Sequence, residues 1–263
     1  MRKLSSSGAL DTIDQIYKVP FFLKILFDIF SIGSNKKILD QIKRPGEKLC
    51  DALEGMGTTF IKLGQFLATR PDIIGAELAD DLEKLQDKLE PFDNNIAKEI
   101  LISEIGAKQF KKIKTLGPPI AAASIAQVHI AEIEVDKKNV KVAVKILRPN
   151  IEKIFNEELD ALMLLAYILE SLIAKTRRLK LVEVVHLLRE ITNIEMDLRF
   201  EAAAASELRE NTINDKGIKV PKIYWNYTSR KVLTLDKING VSIRDIEKLK
   251  ILKIDLKNLS ENL

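Results

Sequence analysis

The chain has 263 residues, of which 46% are hydrophobic and 30% are charged, and it carries a formal net charge of +4. This balance is typical of a helix-rich globular protein with room for a sizeable core, and it excludes an intrinsically disordered chain. The positive surplus is too small and too scattered to indicate nucleic-acid binding, and it permits only a mild preference for anionic surfaces such as lipid headgroups.

The first ninety residues are predicted to be helical. Residues 1–10 lack the apolar core of a secretory signal. Phe21–Ile32 is apolar but interrupted by two charges, and neither it nor Ala161–Leu169 approaches the ~18 residues that a transmembrane helix needs. We expect Phe21–Ile32 to pack on its own domain, with the alternative that it lies flat on a membrane surface. Further along, Ala76–Glu90 has leucines at helical spacing and is predicted to be a helix.

The central region changes from a helical to an alternating pattern. Asp93–Lys112 is predicted to be a short helix, after which the chain breaks at Gly117-Pro118-Pro119. Gln127–Val135 and Val140–Leu147 have the composition and alternation of strands, and a turn at Asp136–Asn139 separates them. This pattern predicts a β-hairpin.

Two long helices and a second pair of strands follow. The helices are predicted at Glu152–Lys175 and Leu181–Asn211, joined by the basic connection Lys175–Arg178. Val220–Ile238 is predicted to hold two strands around Thr228-Ser229-Arg230. Because strands and helices do not alternate as βαβ units, the predicted fold class is α+β, a small antiparallel sheet packed by helices.

A narrow polar stripe runs along the predicted helix Thr58–Thr69. At 100° per residue, four polar side chains fall within one sector of an otherwise apolar helix: Thr58, Lys62, Gln65 and Thr69. A solvated stripe on a buried helix and a helix that lines a polar cleft explain this spacing equally well.

Small residues and one lysine stand around the predicted hairpin. In Pro119–Val128, small side chains would let backbone N–H groups approach a phosphate, although an ordinary turn has the same composition. Alternation places Ala143 and Lys145 on the same side of a strand, where a small side chain beside a lysine suits a flat ring next to phosphates. Solvent-facing lysines on hairpins are common, so each feature alone is a weak signal.

Three acidic residues lie near the middle of the last long helix. Asp197 and Glu201 are four residues apart and are expected to share a helix face, with Glu195 nearly opposite Asp197. One of these carboxylates would then reach Lys145, while the alternative is a solvated acidic face.

Residue types that hold metals or disulfides are scarce. The single cysteine, Cys50, excludes an internal disulfide and a Cys-rich metal site. His129 and His186 lie too far apart to show a metal-ligand spacing. No metal site is predicted.

Taken in this order, the segments resemble the UbiB-type atypical kinases of ubiquinone biosynthesis. Lys62-Leu63-Gly64-Gln65 resembles the KxGQ signature of that family, and Glu195-Met196-Asp197 resembles its ExD motif. Ala121–Val128 is similar to its alanine-rich nucleotide loop, and Val142–Lys145 to its nucleotide-lysine motif. Glu201 matches the glutamate that pairs with that lysine. The similarity covers roughly Lys48 to Gly240.

The resemblance implies a protein-kinase-like N-lobe preceded by a helical extension. It divides the chain into the extension at 1–112, the N-lobe with inserted long helices at 113–240, and the start of a C-lobe at 241–263. It implies binding of ATP or ADP, with Mg in the complete fold, by Ile120, Ala121, Ala122, Ala123, Ser124, Ile125, Ala126, Gln127, Val128, Ala143, Lys145 and Glu201. The family-specific cleft residues that it implies are Lys62, Gln65, Glu195 and Asp197.

Most of the family's C-lobe is expected to be missing, because no carboxylate after Gly240 stands in an HxD-like or DFG-like context. We therefore expect a truncated UbiB-type kinase or ATPase that supports ubiquinone biosynthesis and lacks its catalytic base. The alternatives are a non-catalytic interaction module or remnant gene product, and a peripheral lipid-surface binding protein. Expected partners are nucleotide and either ubiquinone-biosynthesis proteins or lipid precursors, not nucleic acid. The expected location is peripheral, on the cytoplasmic side of a bacterial inner membrane, with a soluble cytoplasmic location as the alternative.

Overall fold

The computed structural model describes residues 44–85, 90–215, 217–241, 243, 246–252 and 254, so the predicted helical segment Phe21–Ile32 lies outside the described residues. The helices are α1 (Pro45–Met56), α2 (Thr58–Ala68), α3 (Pro71–Ile74), α4 (Ala76–Leu82), α5 (Asn94–Ile105), α6 (Ala107–Phe110), α7 (Ile151–Leu172), α8 (Leu181–Glu195), α9 (Leu198–Asn211) and α10 (Ile246–Ile251). The strands are β1 (Ile113–Ala122), β2 (Ala126–Val135), β3 (Lys138–Leu147) and β4 (Val232–Asp236), and short 3-10 turns occupy Ala174–Leu179 and Trp225–Tyr227.

The four strands form one antiparallel sheet in the order β1-β2-β3-β4, which confirms the predicted fold class. A loop of Asp136 and Lys137 joins β2 to β3, and both residues have positive φ, 49° and 61°. Positive φ at both loop positions matches the right-handed twist of a tight hairpin. The predicted hairpin is therefore confirmed, with a shorter turn than the sequence indicated.

Strand β1 forms where the sequence predicted a break. Gly117-Pro118-Pro119 lies inside this strand. Strand β1 is at an edge of the sheet, so alternate N–H groups point away from the neighbouring strand. Proline lacks an N–H and is tolerated at such a position, because no ladder hydrogen bond is lost. The predicted loop Pro119–Val128 is consequently reduced to Ala123–Ile125, between β1 and β2.

Of the two strands predicted within Val220–Ile238, the second forms as β4, and the prediction of the first is wrong. A 3-10 turn occupies Trp225–Tyr227, and only an isolated bridge at Ile223 remains of the first strand. The Thr228 hydroxyl donates to the carbonyl of Tyr224 at 3.1 Å. Such local side-chain bonds favour a turn over a ladder.

The described residues form two compact units. One contains the residues up to Pro91 together with Ala122–Ala126 and Arg148–Met196, and the other contains Phe92–Ala121, Gln127–Leu147 and the residues from Asp197 onward. The long helices α7 and α8 thus group with the N-terminal helices, while most of the sheet belongs to the second unit. The residue boundaries 1–112, 113–240 and 241–263 stay a prediction.

In the first unit, α1 and α4 enclose a small core around Cys50, Leu53 and Leu82. The Cys50 thiol donates to the main-chain oxygen of Asp81 at 3.1 Å, and burial raises the pKa of this thiol to about 11. The carboxylate of Asp81 is nearly buried and forms ion pairs with Arg44 and Lys84. A thiol in this setting stays protonated and is a core side chain rather than a nucleophile.

Three predicted helices end differently from the prediction. Gly106, with φ of 81°, separates α5 from α6 and breaks the predicted helix Asp93–Lys112. Helix α4 ends at Leu82, and residues 86–89 of the predicted helix Ala76–Glu90 lie outside the described residues. The predicted helix Leu181–Asn211 forms two helices, α8 and α9.

Within the described part of the chain, no helix is long and apolar enough to cross a bilayer.

The core of the second unit lies between α5 and one face of the sheet. Val142, Val144 and Ile146 of β3 are fully buried there, against Ala97 and Leu101 of α5. The alternation in Val140–Leu147 thus directs every second side chain into the core, as predicted.

A buried polar chain ties this core to the strand β1. The Gln127 amide donates to the Phe92 carbonyl at 3.2 Å and accepts from the Phe92 N–H at 2.9 Å. Its nitrogen also lies 2.9 Å from His129 Nε2, while His129 Nδ1 lies 2.9 Å from the Gly117 carbonyl. Because an amide nitrogen only donates, Nε2 is an acceptor and Nδ1–H is a donor. His129 is therefore neutral in the fold, and its burial lowers its pKa.

We expect the free energy of unfolding to fall as the pH drops below about 6.5, by up to ~1.4 kcal/mol per pH unit. The sign follows from His129, whose pKa is lower in the folded chain, so that the unfolded chain takes up a proton that the fold excludes. The contribution of neutral His129 to the free energy of unfolding is fully present above the pKa of this histidine in the unfolded chain. It decreases as the pH falls towards the lower pKa in the folded chain. Urea unfolding at a series of pH values measures it.

The control is His186→Gln, because His186 is the other histidine of the chain and is exposed. This variant should keep the decrease. A free energy of unfolding that stays constant between pH 7 and about 5, or a decrease that disappears in His186→Gln, would contradict the assignment.

Candidate functional site

The clearest arrangement of charged groups in the second unit joins β3 to α9. Val144 and Ile146 point into the core, so the alternating position Lys145 lies on the opposite face of the sheet. Its ammonium group donates to Glu201 Oε2 at 2.7 Å. The predicted ion pair is confirmed. The Lys145 side chain keeps 26% of its surface exposed, so that its cation is held in place and yet open to an anionic ligand.

The surface around Lys145 is small and flat. Ala143 lies two residues before it on the same face, and Leu233 of β4 is directly opposite Lys145 in the antiparallel register. Leu233 is buried, as are Leu198 and Ala202 of α9. Ala143 is only partly buried. A planar ring can therefore lie beside its methyl group while the adjacent cation takes the phosphates, which is the chemistry that this face favours.

Helix α9 begins where the sequence predicted an unbroken helix. Asp197 has φ of −118° and ψ of 94°, outside the helical region, and its carboxylate accepts a hydrogen bond from the Arg199 N–H at 3.1 Å. Asp197 is therefore the N-cap of α9. The N–H of Leu198 donates to the Arg230 carbonyl at 2.9 Å, which fixes the first turn beside β4. Glu201 lies in this first turn.

The prediction that Asp197 and Glu201 share a helix face is wrong, because Asp197 precedes the helix. The Arg199 guanidinium binds both oxygens of Asp197, at 2.9 and 2.6 Å, and this hydrogen bonding is the main cause that lowers the pKa of Asp197. The cap and this two-point contact fix the start of the helix that carries Glu201.

In the first unit, Lys62 of α2 meets Glu195 at the end of α8. Lys62 Nζ lies 2.9 Å from Glu195 Oε2, so the two groups form an ion pair. Their orientation does not meet the geometry of a hydrogen bond. Of the four cleft residues that the resemblance implies, the structure thus brings Lys62 and Glu195 together. The two acids of the ExD motif thus have different partners, since Asp197 contacts Arg199.

The polar stripe of α2 changes in exposure along the helix. Thr58 is buried and its hydroxyl is 3.5 Å from the Ser124 carbonyl, Lys62 and Gln65 are partly buried, and Thr69 is exposed. A solvated stripe would be exposed along its whole length, so the first half of this stripe is an internal surface of the unit.

Glycine is required at position 64 of this helix. A Cβ at Gly64 would overlap Leu85 and lie 2.9 Å from Leu53 Cδ1. Because backbone and core leucines approach this closely, α2 packs with its backbone rather than with a side chain. Lys62 and Gln65 flank this contact point, and its tight packing restricts how α2 can rotate.

The alanine-rich loop Ala123–Ile125 is held through its carbonyl groups. Arg148 donates from Nε to the Ala123 carbonyl at 3.0 Å and from its main-chain N–H to the Ile125 carbonyl at 2.8 Å. Its Nη1 also donates to the Glu90 carbonyl. Arg148 was not among the residues expected at the site, because its acceptors are main-chain carbonyl groups, which produce no residue pattern.

The remaining residues implied in nucleotide binding differ in exposure. Ile120 and Ala121 are exposed, Ala122 and Val128 are partly buried, and Ala126 and Gln127 are buried. The Gln127 side chain is committed to Phe92 and His129. Nucleotide contact by these residues stays a prediction. Within the described residues, no three His, Cys, Asp or Glu side chains gather in a way that could hold a metal ion.

Comparison with known proteins gives the same family as the motifs. A family model described as ABC1 atypical kinase-like domain matches residues 84–263. The chain is 37% identical over 254 residues to a protein of Marinobacter nauticus named Probable protein kinase UbiB, covering 96% of this chain and 45% of the relative. A protein of the same name from Cellvibrio japonicus is 36% identical over 217 residues, covering 82% of this chain and 39% of the relative. The chain thus spans less than half the length of these relatives.

Removing the cap of α9 should loosen the helix that carries Glu201. We expect Asp197→Ala to lower the free energy of unfolding by about 1 kcal/mol, and Asp197→Asn to cost less because asparagine also caps well. Amide hydrogen exchange in the first turn of α9 should become faster in the alanine variant, since that turn loses its acceptor.

The matched control is Asp93→Ala, which removes the cap of α5, where the Asp93 carboxylate accepts from the Asn95 N–H at 2.7 Å. Its effect should appear in α5 and leave the exchange of α9 unchanged. Wild-type exchange rates in α9 of Asp197→Ala would show that Asp197 does not fix this helix.

Proposed function

The chain belongs to the ABC1 atypical kinase-like family, and we propose that it forms the nucleotide-binding part of a UbiB-like kinase or ATPase that supports ubiquinone biosynthesis. The observation that carries this proposal is the ion pair of Lys145 and Glu201, 2.7 Å apart on the open face of a small antiparallel sheet. A lysine held by a helix glutamate is the arrangement with which kinase-like lobes orient a nucleotide.

The nucleotide is proposed to be ATP or ADP. Lys145 would bind its α- and β-phosphates, Glu201 would keep the ammonium group pointed at them, and Ala143 leaves room for a flat ring. Partial exposure of Lys145 supports this role, since the cation is accessible while its position is fixed.

Lys62, Gln65 and Glu195 are proposed to serve a small-molecule or lipid-linked substrate rather than a protein. The ion pair of Lys62 and Glu195 fixes a polar group within the first unit. The tight packing at Gly64 makes the helix that carries it rigid. A rigid polar surface suits one defined ligand better than a variable peptide.

Phosphoryl transfer is proposed for the whole protein rather than for these 263 residues, because the chain spans 45% and 39% of its two relatives. Magnesium would accompany the nucleotide there. We further propose a peripheral location on the cytoplasmic side of a bacterial inner membrane, and partners among ubiquinone-biosynthesis proteins or lipid precursors. The name UbiB of the relatives supports the link to ubiquinone biosynthesis.

Nucleotide binding can be tested by stabilisation against heat. A ligand that binds the folded chain raises the free energy of unfolding by RT ln(1 + [L]/Kd), about 2.7 kcal/mol at a ligand concentration of ~100 Kd. ADP should therefore raise the Tm of the wild-type chain. Lys145→Met should weaken binding by about 10-fold to 100-fold, because a charge-assisted contact with phosphate is lost.

The matched control is Lys141→Met, which changes the same residue type on the same face of the same strand, four residues away. This variant should bind ADP like the wild type. Equal ADP stabilisation of Lys145→Met and Lys141→Met would contradict the proposal. If the wild-type chain shows no ADP stabilisation at any concentration, the alternative of a non-catalytic interaction module is favoured instead.

A further inference from the structure

Exposed lysines gather at one end of the sheet in the second unit. Residues 111–114 and 134–141 contain six lysines and two acids, a surplus of four positive charges, which equals the formal net charge of the whole chain. The remaining residues are therefore neutral on balance, and the positive charge is concentrated here rather than scattered. All six lysines are exposed, and we name them the basic end: Lys111, Lys112, Lys114, Lys137, Lys138 and Lys141.

Contacts between β1 and β2 bring the two segments of the basic end together. The Glu134 N–H donates to the Lys112 carbonyl at 3.0 Å, so the start of β1 lies beside the end of β2. Lys114 Nζ lies 2.8 Å from Glu134 Oε2. Hydrogen bonding from Lys114 lowers the pKa of Glu134, and the charge of Lys112 adds to this effect. Because β2 ends at Val135 and β3 begins at Lys138, the lysines of the turn lie at this same end of the sheet.

The turn between β2 and β3 carries one of its lysines in an unfavourable conformation. Lys137 has φ of 61°, in the left-handed region that glycine and asparagine adopt most readily in such turns. Glycine at this position would form the same hairpin with less strain. A cation here is better explained by what the turn binds than by the stability of the hairpin.

Five of the six cations are open to an outside partner. Lys114 is paired with Glu134, and its side chain is still 45% exposed. Among the described residues, no acid lies within ion-pair distance of the other five lysines. Like charges gathered on one surface repel each other, and an anionic partner would relieve that repulsion.

We propose that the basic end docks an acidic segment of a partner protein, in which several Asp or Glu residues lie close together in sequence. Lysine suits this role, because its ammonium group is a point charge on a flexible stem and can follow carboxylates that have no fixed arrangement. The pair of Lys114 and Glu134 is an example of this contact within the sheet. Charge complementarity of this kind gives fast and salt-sensitive association. The inference goes beyond the proposed function and does not depend on nucleotide binding.

The composition of the basic end disfavours other polyanions. It contains no arginine, the side chain that binds phosphate at two points, and residues 111–114 and 137–141 include no aromatic ring on which bases stack. The two apolar residues of these segments, Ile113 and Val140, pack against the core of the unit and so cannot insert into a bilayer. Charged side chains are also stable in water, so this surface does not need the remainder of a longer protein to cover it.

Binding of a defined acidic peptide tests the proposal with the full chain. The probe is a fluorescein-labelled peptide in which glutamate alternates with glycine, and the comparison peptide has glutamine in place of glutamate. Fluorescence anisotropy at low salt should show saturable binding of the glutamate peptide, about tenfold or more tighter than that of the glutamine peptide. The Kd should rise steeply as salt is added, because exposed charges are screened.

Reversal of two charges tests whether the basic end makes the contact. Lys112→Glu/Lys138→Glu should weaken binding of the glutamate peptide about tenfold or more. The matched control, Lys153→Glu/Lys250→Glu, changes two exposed lysines elsewhere, gives the same net charge and should bind the peptide like the wild type. Both variants should keep the Tm and the ADP stabilisation of the wild type, because the changed side chains are exposed and lie outside the proposed nucleotide site.

Cross-linking of the wild-type chain locates the contact without any substitution. A carbodiimide activates a carboxylate of the peptide, which then forms an amide with a lysine amine that it touches. Mass spectrometry should find the peptide on Lys112, Lys137 and Lys138 well ahead of Lys153 and Lys250.

Three results would overturn the inference. If the wild-type chain does not bind the glutamate peptide at low salt, the basic end is only a solvated surface. If both double variants lose binding equally, or cross-links are spread evenly over all exposed lysines, net charge rather than this surface attracts the peptide. If a single-stranded oligonucleotide or phosphatidylglycerol vesicles bind the wild type more tightly than the peptide, and Lys112→Glu/Lys138→Glu abolishes that binding, the partner is a nucleic acid or a membrane instead.

Discussion

The ion pair of Lys145 and Glu201 depends on where a helix starts. Glu201 reaches the sheet only because α9 begins at Leu198, and α9 begins there because Asp197 leaves the helical conformation and caps it. The contact of Arg199 with both oxygens of Asp197 and the hydrogen bond from Leu198 to Arg230 fix that start. On the other side of the pair, the alternation of β3 turns its apolar residues into the core and leaves Lys145 on the open face. A cation is thereby placed beside the small side chain of Ala143 on the open face, an arrangement that suits a nucleotide.

The parts of the fold that the sequence predicts are those in which local pattern and burial agree. Val140–Leu147 alternates because one face of β3 packs on α5, so the strand and the direction of Lys145 follow from the pattern alone. The ion pair of Lys62 and Glu195 does not follow from spacing, since nothing local to α2 indicates a partner on α8, and the resemblance gave the two residues only as members of one cleft. Recognition of the family supplied what periodicity could not.

The parts that the sequence did not predict depend on contacts distant along the chain. Residues 181–211 have helical propensity throughout, and the break at Met196 and Asp197 comes from the cap and from the Arg230 carbonyl, 32 residues beyond Leu198. The prolines in β1 are tolerated because the strand lies at the sheet edge, a property of the assembled sheet. Likewise, Arg148 holds the alanine-rich loop through carbonyl groups, and carbonyl positions leave no trace in the sequence.

The central claim is that Lys145 contacts the phosphates of a bound nucleotide, and chemical labelling measures this directly. An acyl-phosphate derivative of ATP acylates a lysine amine that lies beside the bound phosphates and releases ATP, and mass spectrometry then gives the extent of acylation at each lysine. Lys145 should be acylated well ahead of Lys141 on the same face of β3, and excess ADP should suppress the reaction at Lys145 alone. Acylation of Lys145 that does not exceed that of Lys141, or that excess ADP leaves unchanged, would contradict it.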